Sequence, residues 1–192
     1  MKKETIFIAG LGNPDDKYAG TRHNMGFDAV DRLHADGGFG PWKKRRGALV
    51  ASGQIGGAPV MLVKPQKYMN LSGEALQTVL AFYKAPAAHL IVLYDDVDLP
   101  TGQLRVRASG GAGTHNGMRN IILHLGEDFP RVRIGVGTPE HGDLADYVLS
   151  RPNGDERETL DAAVARAAEC AEMIVREGVE HAMSRYNTKN GL

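Results

Sequence analysis

Residues 90–98 read Leu90-Ile91-Val92-Leu93-Tyr94-Asp95-Asp96-Val97-Asp98, an unbroken apolar run followed by three acids around a valine. A segment apolar at every position, rather than at every second one, fits a strand buried on both faces. Such strands belong to parallel sheets covered by helices. The acids then fall at the carboxyl end of a central strand, where α/β sheets bind ligands. Working outward, Thr5 to Ala9 is β-branched and aromatic and reads as a second buried strand, ending at the turn signal Gly10-Leu11-Gly12-Asn13-Pro14. A loop carries the chain to about Asn24. Met25 to Ala35 repeats Phe27, Val30 and Leu33 at helical spacing and stops at Gly37-Gly38.

The remaining segments continue the alternation. Ala48 to Ile55 and Pro59 to Val63, joined by Gly56-Gly57, read as a hairpin. The basic run Lys43-Lys44-Arg45-Arg46 before it is expected to be a solvated loop, with RNA contact as the alternative. Leu71 to Lys84 carries an apolar stripe of Ala75, Leu76, Val79, Leu80 and Tyr83, with Asn70 placed to cap it. Gln103 to Arg107 reads as an edge strand before the glycine-rich loop 109–114. His115 to Leu125 suits a helix, Val132 to Val136 a strand, and Asp155 to Arg176 a long amphipathic helix through Leu160, Val164, Ala167, Ala171 and Ile174. The expected fold is α/β, with strands and helices in layers and polar residues gathered at strand ends and helix starts.

A chain of 192 residues, 42% apolar, can bury one sizeable core, so one domain over residues 1–192 is expected. Lys2-Lys3-Glu4 before Ile6-Phe7-Ile8-Ala9 has the look of a leader, but the apolar run stops at Gly12-Asn13-Pro14 and no small-residue cleavage site follows. No stretch approaches the roughly 20 apolar residues that span a bilayer. Cys170, the single cysteine, cannot form an internal disulfide and lies in a helical stretch, so it reads as core or helix surface rather than nucleophile. The cytoplasm is the expected compartment. The net charge is zero but divided: residues 1–139 hold 17 Lys/Arg against 12 Asp/Glu, and residues 140–192 hold 6 against 11. A polyanion needs only a local basic face, so neutrality does not exclude nucleic acid.

Four segments carry the chemistry: Gly12-Asn13-Pro14 with Tyr18 and Thr21-Arg22-His23-Asn24; Lys64 through Tyr68-Met69-Asn70-Leu71-Ser72-Gly73; Tyr94 through Leu99-Pro100; and Gly110-Gly111-Ala112-Gly113-Thr114-His115-Asn116-Gly117. They offer imidazole, carboxylate and several Asn amides, a set suited to adding water to an acyl group without metal or covalent nucleophile. An imidazole titrating near neutrality can take a proton from water, a carboxylate can fix its tautomer, and amides can donate to a developing oxyanion.

In this order and spacing, the four segments resemble the bacterial-type peptidyl-tRNA hydrolases, from Ile6 to about Gly137, with a weaker helical likeness beyond. The resemblance implies a monomeric α/β domain with a twisted mixed sheet flanked by helices. It also implies no metal or cofactor, no obligate protein partner, and hydrolysis of the ester joining a peptide to the 3′-terminal ribose of tRNA. Residue by residue, it makes His23 the general base, Asp95 the acid supporting it, and Asn13 the residue that separates N-blocked peptidyl substrates from free aminoacyl ones. Asn70 and Asn116 become substrate-positioning amides, Tyr18 and Tyr68 aromatic tRNA contacts, and Met69 and His115 cleft residues, while Arg107 and Arg133 grip phosphates. The chain departs from the pattern at Asp15, where glycine is common, and at Ala112 and Thr114, where His and Gly are frequent.

Other readings are weaker. Gly10 and Gly12 suggest a dinucleotide fingerprint, but its third glycine would fall at Asp15. No Gly-x-Ser-x-Gly elbow or P-loop occurs, which argues against a serine nucleophile. Asp95, Asp96 and Asp98 offer the carboxylates of a Mg²⁺ site, yet no phosphate loop or second acidic cluster accompanies them, and Asp96 and Asp98 more simply shape the turn into Pro100. A non-catalytic RNA-binding scaffold on the same fold is the rival to an enzyme. Retention of His23, Asp95 and the three asparagines favours catalysis.

Overall fold

The computed structural model describes residues 3–188. Lys2 of the leader-like stretch and the outermost residues of the 1–192 assignment lie outside that range. The elements run β1 (Ile6–Gly10), α1 (Met25–Asp36), β2 (Lys43–Arg45), β3 (Ala48–Ile55), β4 (Ala58–Pro65), α2 (Ser72–Phe82), β5 (Leu90–Asp96), β6 (Leu104–Arg107), α3 (Asn116–Leu125), β7 (Arg131–Gly135), α4 (Leu144–Val148), α5 (Gly154–Glu177) and α6 (Val179–Tyr186). One seven-stranded sheet, ordered β2-β3-β4-β1-β5-β7-β6, carries them all. Its middle strands β4, β1, β5 and β7 are parallel, and antiparallel pairs close both edges, so the sheet is mixed as expected.

The unbroken apolar run has its physical reason here. In β5, Ile91 and Leu93 enter one core with Ile8 and residues of α1, α5 and α6, while Leu90, Val92 and Tyr94 enter the other with Phe7, Leu76 and Ile121. β5 lies between two parallel neighbours, Val92 and Leu93 are inaccessible to solvent, and Asp95 is still inside the strand. The long amphipathic segment becomes α5, one residue longer at each end than expected, with Cys170 fully buried.

A close approach sets α1 in place. A Cβ on Gly26 would lie 2.3 Å from the carbonyl oxygen of Leu93 and 2.5 Å from the nitrogen of Leu11, so the start of α1 rests directly on the backbones of β5 and the β1 exit. The turn before α1, residues 22–24, is thereby held over the carboxyl end of β5.

Two expectations need correction. Asn70 does not cap α2: it lies in a 3₁₀ turn, Met69–Leu71, Leu71 occupies the cap position, and Ser72 Oγ donates back to Met69 O at 2.7 Å. The basic run is not a loop, since Lys43–Arg45 forms the edge strand β2 against β3, although all three side chains are exposed. Cationic side chains on an edge strand discourage pairing with other chains. The short helix α4 and the closing helix α6 were not anticipated. Among the described residues no helix is long and apolar enough to cross a membrane.

Candidate active site

At the carboxyl ends of β1, β4 and β5 a cleft of about 820 Å³ opens, lined by all eleven residues singled out from the sequence: Asn13, Tyr18, His23, Tyr68, Met69, Asn70, Asp95, Arg107, His115, Asn116 and Arg133. They arrive on separate elements. Asn13 and Tyr18 come from the loop after β1, His23 from the turn before α1, Tyr68 to Asn70 from the segment after β4, and His115 and Asn116 from the start of α3.

Asp95 is the hub. It is 2% exposed; its Oδ2 meets His23 Nδ1 at 2.8 Å and its Oδ1 meets His115 Nε2 at 3.0 Å. Burial alone would raise its pKa, but the two imidazoles and their hydrogen bonds outweigh that and hold the carboxyl far below the usual range. For His23 burial pulls the pKa down, while the charge and hydrogen bond of Asp95 raise it by more, so the net shift is upward. With Nδ1–H donating to Asp95, the neutral His23 carries its lone pair on Nε2, on a ring that lines the cleft.

His115 is held in the opposite sense. Its Nδ1 accepts the Met118 N–H at 3.1 Å, capping α3, so its proton resides on Nε2 and is donated to Asp95. The His23 and His115 rings lie 4.9 Å apart, and Tyr94 packs edge-on against His115. His23, Asp95 and His115 are close enough to share a cation. As bonded, however, His115 could ligate through Nε2 only by becoming an imidazolate, because Nδ1 is already an acceptor. The trio is arranged to hold protons rather than a metal.

Asn13 is 7% exposed and fixed from three directions. Its Oδ1 accepts the Met69 N–H at 2.8 Å, its backbone N–H donates to Asn24 Oδ1 at 2.9 Å, and its carbonyl accepts from Asn24 Nδ2 at 3.0 Å. With the oxygen engaged, the NH₂ is the end left for a ligand. Asn70 and Asn116 are exposed at the cleft walls, and Met69 is a buried part of the floor. Tyr68 donates its hydroxyl to Asp15 Oδ2 at 2.8 Å.

Arg133 and Arg107 sit on the other side, over β7 and β6. In register, Tyr94 is beside Arg133 and Arg131 beside Arg107, which puts these side chains on one face of the sheet. Arg133 is paired with Asp96 through Nε and Oδ2, while Arg107 is exposed. Asp96 also accepts the Asp98 N–H at 2.8 Å, so one of its oxygens shapes the turn while the other holds Arg133.

Sequence reasoning missed three contributors. The segment Asp143, Leu144, Ala145, Val148 and Leu149 forms a further wall of the cleft, but α4 is too short to display a period. Arg22, 7% exposed, ties that wall to the site: its guanidinium meets Glu156 at 2.8 and 2.9 Å, Ser150 Oγ at 2.5 Å, and the ring of Tyr147 at 4.1 Å. Arg131, 1% exposed, donates to the carbonyls of Gly110, Gly111, Glu127 and Phe129 and so pins the glycine-rich loop. Arg22 stands inside the quoted Thr21–Asn24 segment and Arg131 beside the expected strand, but nothing in the sequence showed what either one holds.

The family model for peptidyl-tRNA hydrolase matches residues 7–191. The chain is 50% identical over 181 residues to a peptidyl-tRNA hydrolase of Alkaliphilus oremlandii, covering 94% of this chain and 98% of that one. Another of that name, from Caldanaerobacter subterraneus, is 51% identical with the same coverage. Among solved structures, the peptidyl-tRNA hydrolase of Acinetobacter baumannii superposes with a TM-score of 0.90 at 34% identity, covering 95% of this chain and 94% of that one. A Helicobacter pylori nucleosidase, 7% identical at a TM-score of 0.59 over 92% of this chain and 100% of its own, shares the fold alone.

Proposed function

This chain belongs to the peptidyl-tRNA hydrolase family, and from that premise we propose that it cleaves the ester of peptidyl-tRNA with His23 as the general base. The observation that carries the reading is the His23–Asp95 pair on the cleft floor, with Nδ1 bound and Nε2 left for water. His23 Nε2 takes a proton from water as the oxygen attacks the ester carbonyl. The resulting imidazolium is stabilised by Asp95, whose own carboxyl stays ionised. The tetrahedral oxyanion accepts from amides: Asn70, exposed at the wall, and the NH₂ of Asn13, whose orientation is set by Met69. Collapse expels the ribose oxygen, which recovers the proton from His23, leaving free tRNA and a peptide carboxylate.

Arg107 and Arg133 hold the phosphates of the acceptor end, and Arg133 exchanges its bond to Asp96 for the incoming anion. Tyr18 and Tyr68 offer rings to the nucleotide or acyl chain, His115 braces Asp95, and Asn116 positions the 3′ end. The test is hydrolysis of N-acetylated aminoacyl-tRNA beside the free aminoacyl-tRNA in chelator-treated buffer. Release of tRNA from the first and not the second is expected. A protein that binds both and cleaves neither would be the scaffold instead.

A further inference from the structure

The two sides of the cleft carry different side chains. From β5 outward, one side leads over β7 and β6 to Arg133 and Arg107, and the other over β1 and β4 to the loop after Asn13 and the segment Tyr68–Asn70. On that second side a single side-chain bond joins the two walls beyond Asn13: Tyr68 Oη donates to Asp15 Oδ2 at 2.8 Å, across 53 residues of sequence. Tyr68 is 52% exposed, so without this bond its ring would be free to turn into solvent. Of the cations nearby, Lys67 pairs with Glu74 at 2.5 Å, Lys17 lies over the ring of Tyr18 at 5.0 Å, and Arg151 donates to the carbonyls of Lys17 and Ala19, so none of them pairs with the Asp15 carboxylate that holds Tyr68. Asp15 itself is exposed, as is Asp16 beside it.

We propose that Asp15 is a specificity-determining residue for the acyl half of the substrate, acting through Tyr68. The inference rests on the esterase reading, which puts the scissile carbonyl at His23 and Asn13 and the phosphates at the arginines. With the phosphates at Arg107 and Arg133 across the cleft, the acyl chain is what extends toward Tyr68. There the Asp15 bond holds the phenol ring as a fixed wall, and the carboxylate sets a negative field at the rim. Acyl groups whose side chain beside the ester is neutral or cationic are favoured over acidic ones. Asp15 touches no reacting atom in this account and positions Tyr68 instead.

The experiment uses one tRNA body carrying N-acetyl-Glu, N-acetyl-Gln or N-acetyl-Lys, with the full-length parent, Asp15→Asn, Asp15→Ala, Tyr68→Phe and the double variant Asp15→Ala/Tyr68→Phe. In the parent, kcat/KM for the Glu ester is expected about fivefold below that for the Gln ester, the scale of one charge pair near a solvated surface. Asp15→Asn, which keeps an acceptor for Tyr68, should close that gap. Asp15→Ala should raise KM for all three esters by about fivefold, the worth of one hydrogen bond, with kcat kept. The double variant should be no worse than Asp15→Ala, and inhibition by deacylated tRNA should be unchanged in Asp15→Asn and Asp15→Ala. A Glu–Gln gap that persists in Asp15→Asn, or single effects that multiply in the double variant, overturns the proposal. Failure of the parent to release tRNA from any of the three overturns the esterase reading, and this proposal with it.

Discussion

As the proposed general base His23 would act only while neutral, and the charge of Asp95 raises the pH at which it becomes so. The acid limb of kcat/KM should therefore lie above the free imidazole value of about 6.5. Asp95→Asn removes the raising cause and leaves burial, which acts downward, so the limb should move to lower pH while the maximal rate falls. A pH–rate profile of both proteins checks this, and an unmoved limb would separate the two residues functionally. At this scale the sequence was informative about which side chains meet, because a motif names the groups that bear chemistry. It was silent about how each is held. That Asp95 serves two imidazoles, and that Met118 N–H fixes the tautomer of His115, depends on hydrogen bonds between residues far apart in the chain.

Between elements, the approach of α1 to the sheet positions His23. Gly26→Ala should push α1 off Leu93 and Leu11, costing about 1–3 kcal/mol as overpacking does, and should lower turnover by more than stability alone accounts for. Denaturant unfolding paired with turnover on the surviving fold tests it; wild-type values for both would remove the constraint. On the same helix, Asp28 Oδ2 is the buried side-chain oxygen without a hydrogen-bond partner among the described residues. Burial, opposed by Arg157 and reinforced by Asp31 and Asp161, pushes its carboxyl up to about 6. A raised acid binds its proton more tightly when folded, so stability is lost as pH rises through about 6 and recovered below the unfolded value of about 3.9. Asp28→Asn should thus be more stable than the parent at pH 8, by about 1–3 kcal/mol, with the gap closing between pH 6 and 4. Equal midpoints at pH 8 would contradict this. Helical period and apolar runs made α1, α2, α5 and β5 legible. The cap assigned to Asn70 failed because a 3₁₀ turn intervenes and Leu71, at φ −115° and ψ 16°, takes the cap position. The five residues of α4, started by Asp143 accepting Ala145 N–H at 3.0 Å, are too few to show a face.

For the molecule as a whole, zero net charge conceals a separation. The acid-rich end of the chain builds α5 and α6, which pack on the α1 side of the sheet. Arg107 and Arg133 share the opposite face with Tyr94. The acids of α5 and α6 are thus kept on the face away from Arg107 and Arg133, which is the separation that phosphate binding at the cleft would need. Arg107→Ala and Arg133→Ala should each weaken tRNA binding and flatten the slope of log Kd against log salt by about 0.7–0.9. Slopes equal to the parent's would take that arginine off the phosphate path. The proposed mechanism turns on one step, the passage of a proton from water to His23. Single-turnover hydrolysis of N-acetylated aminoacyl-tRNA by His23→Ala, at saturating enzyme, measures that step apart from binding. A rate about 10²–10⁴-fold below the parent's with unchanged tRNA affinity is predicted; a rate within about twofold of the parent's would contradict His23 as the base.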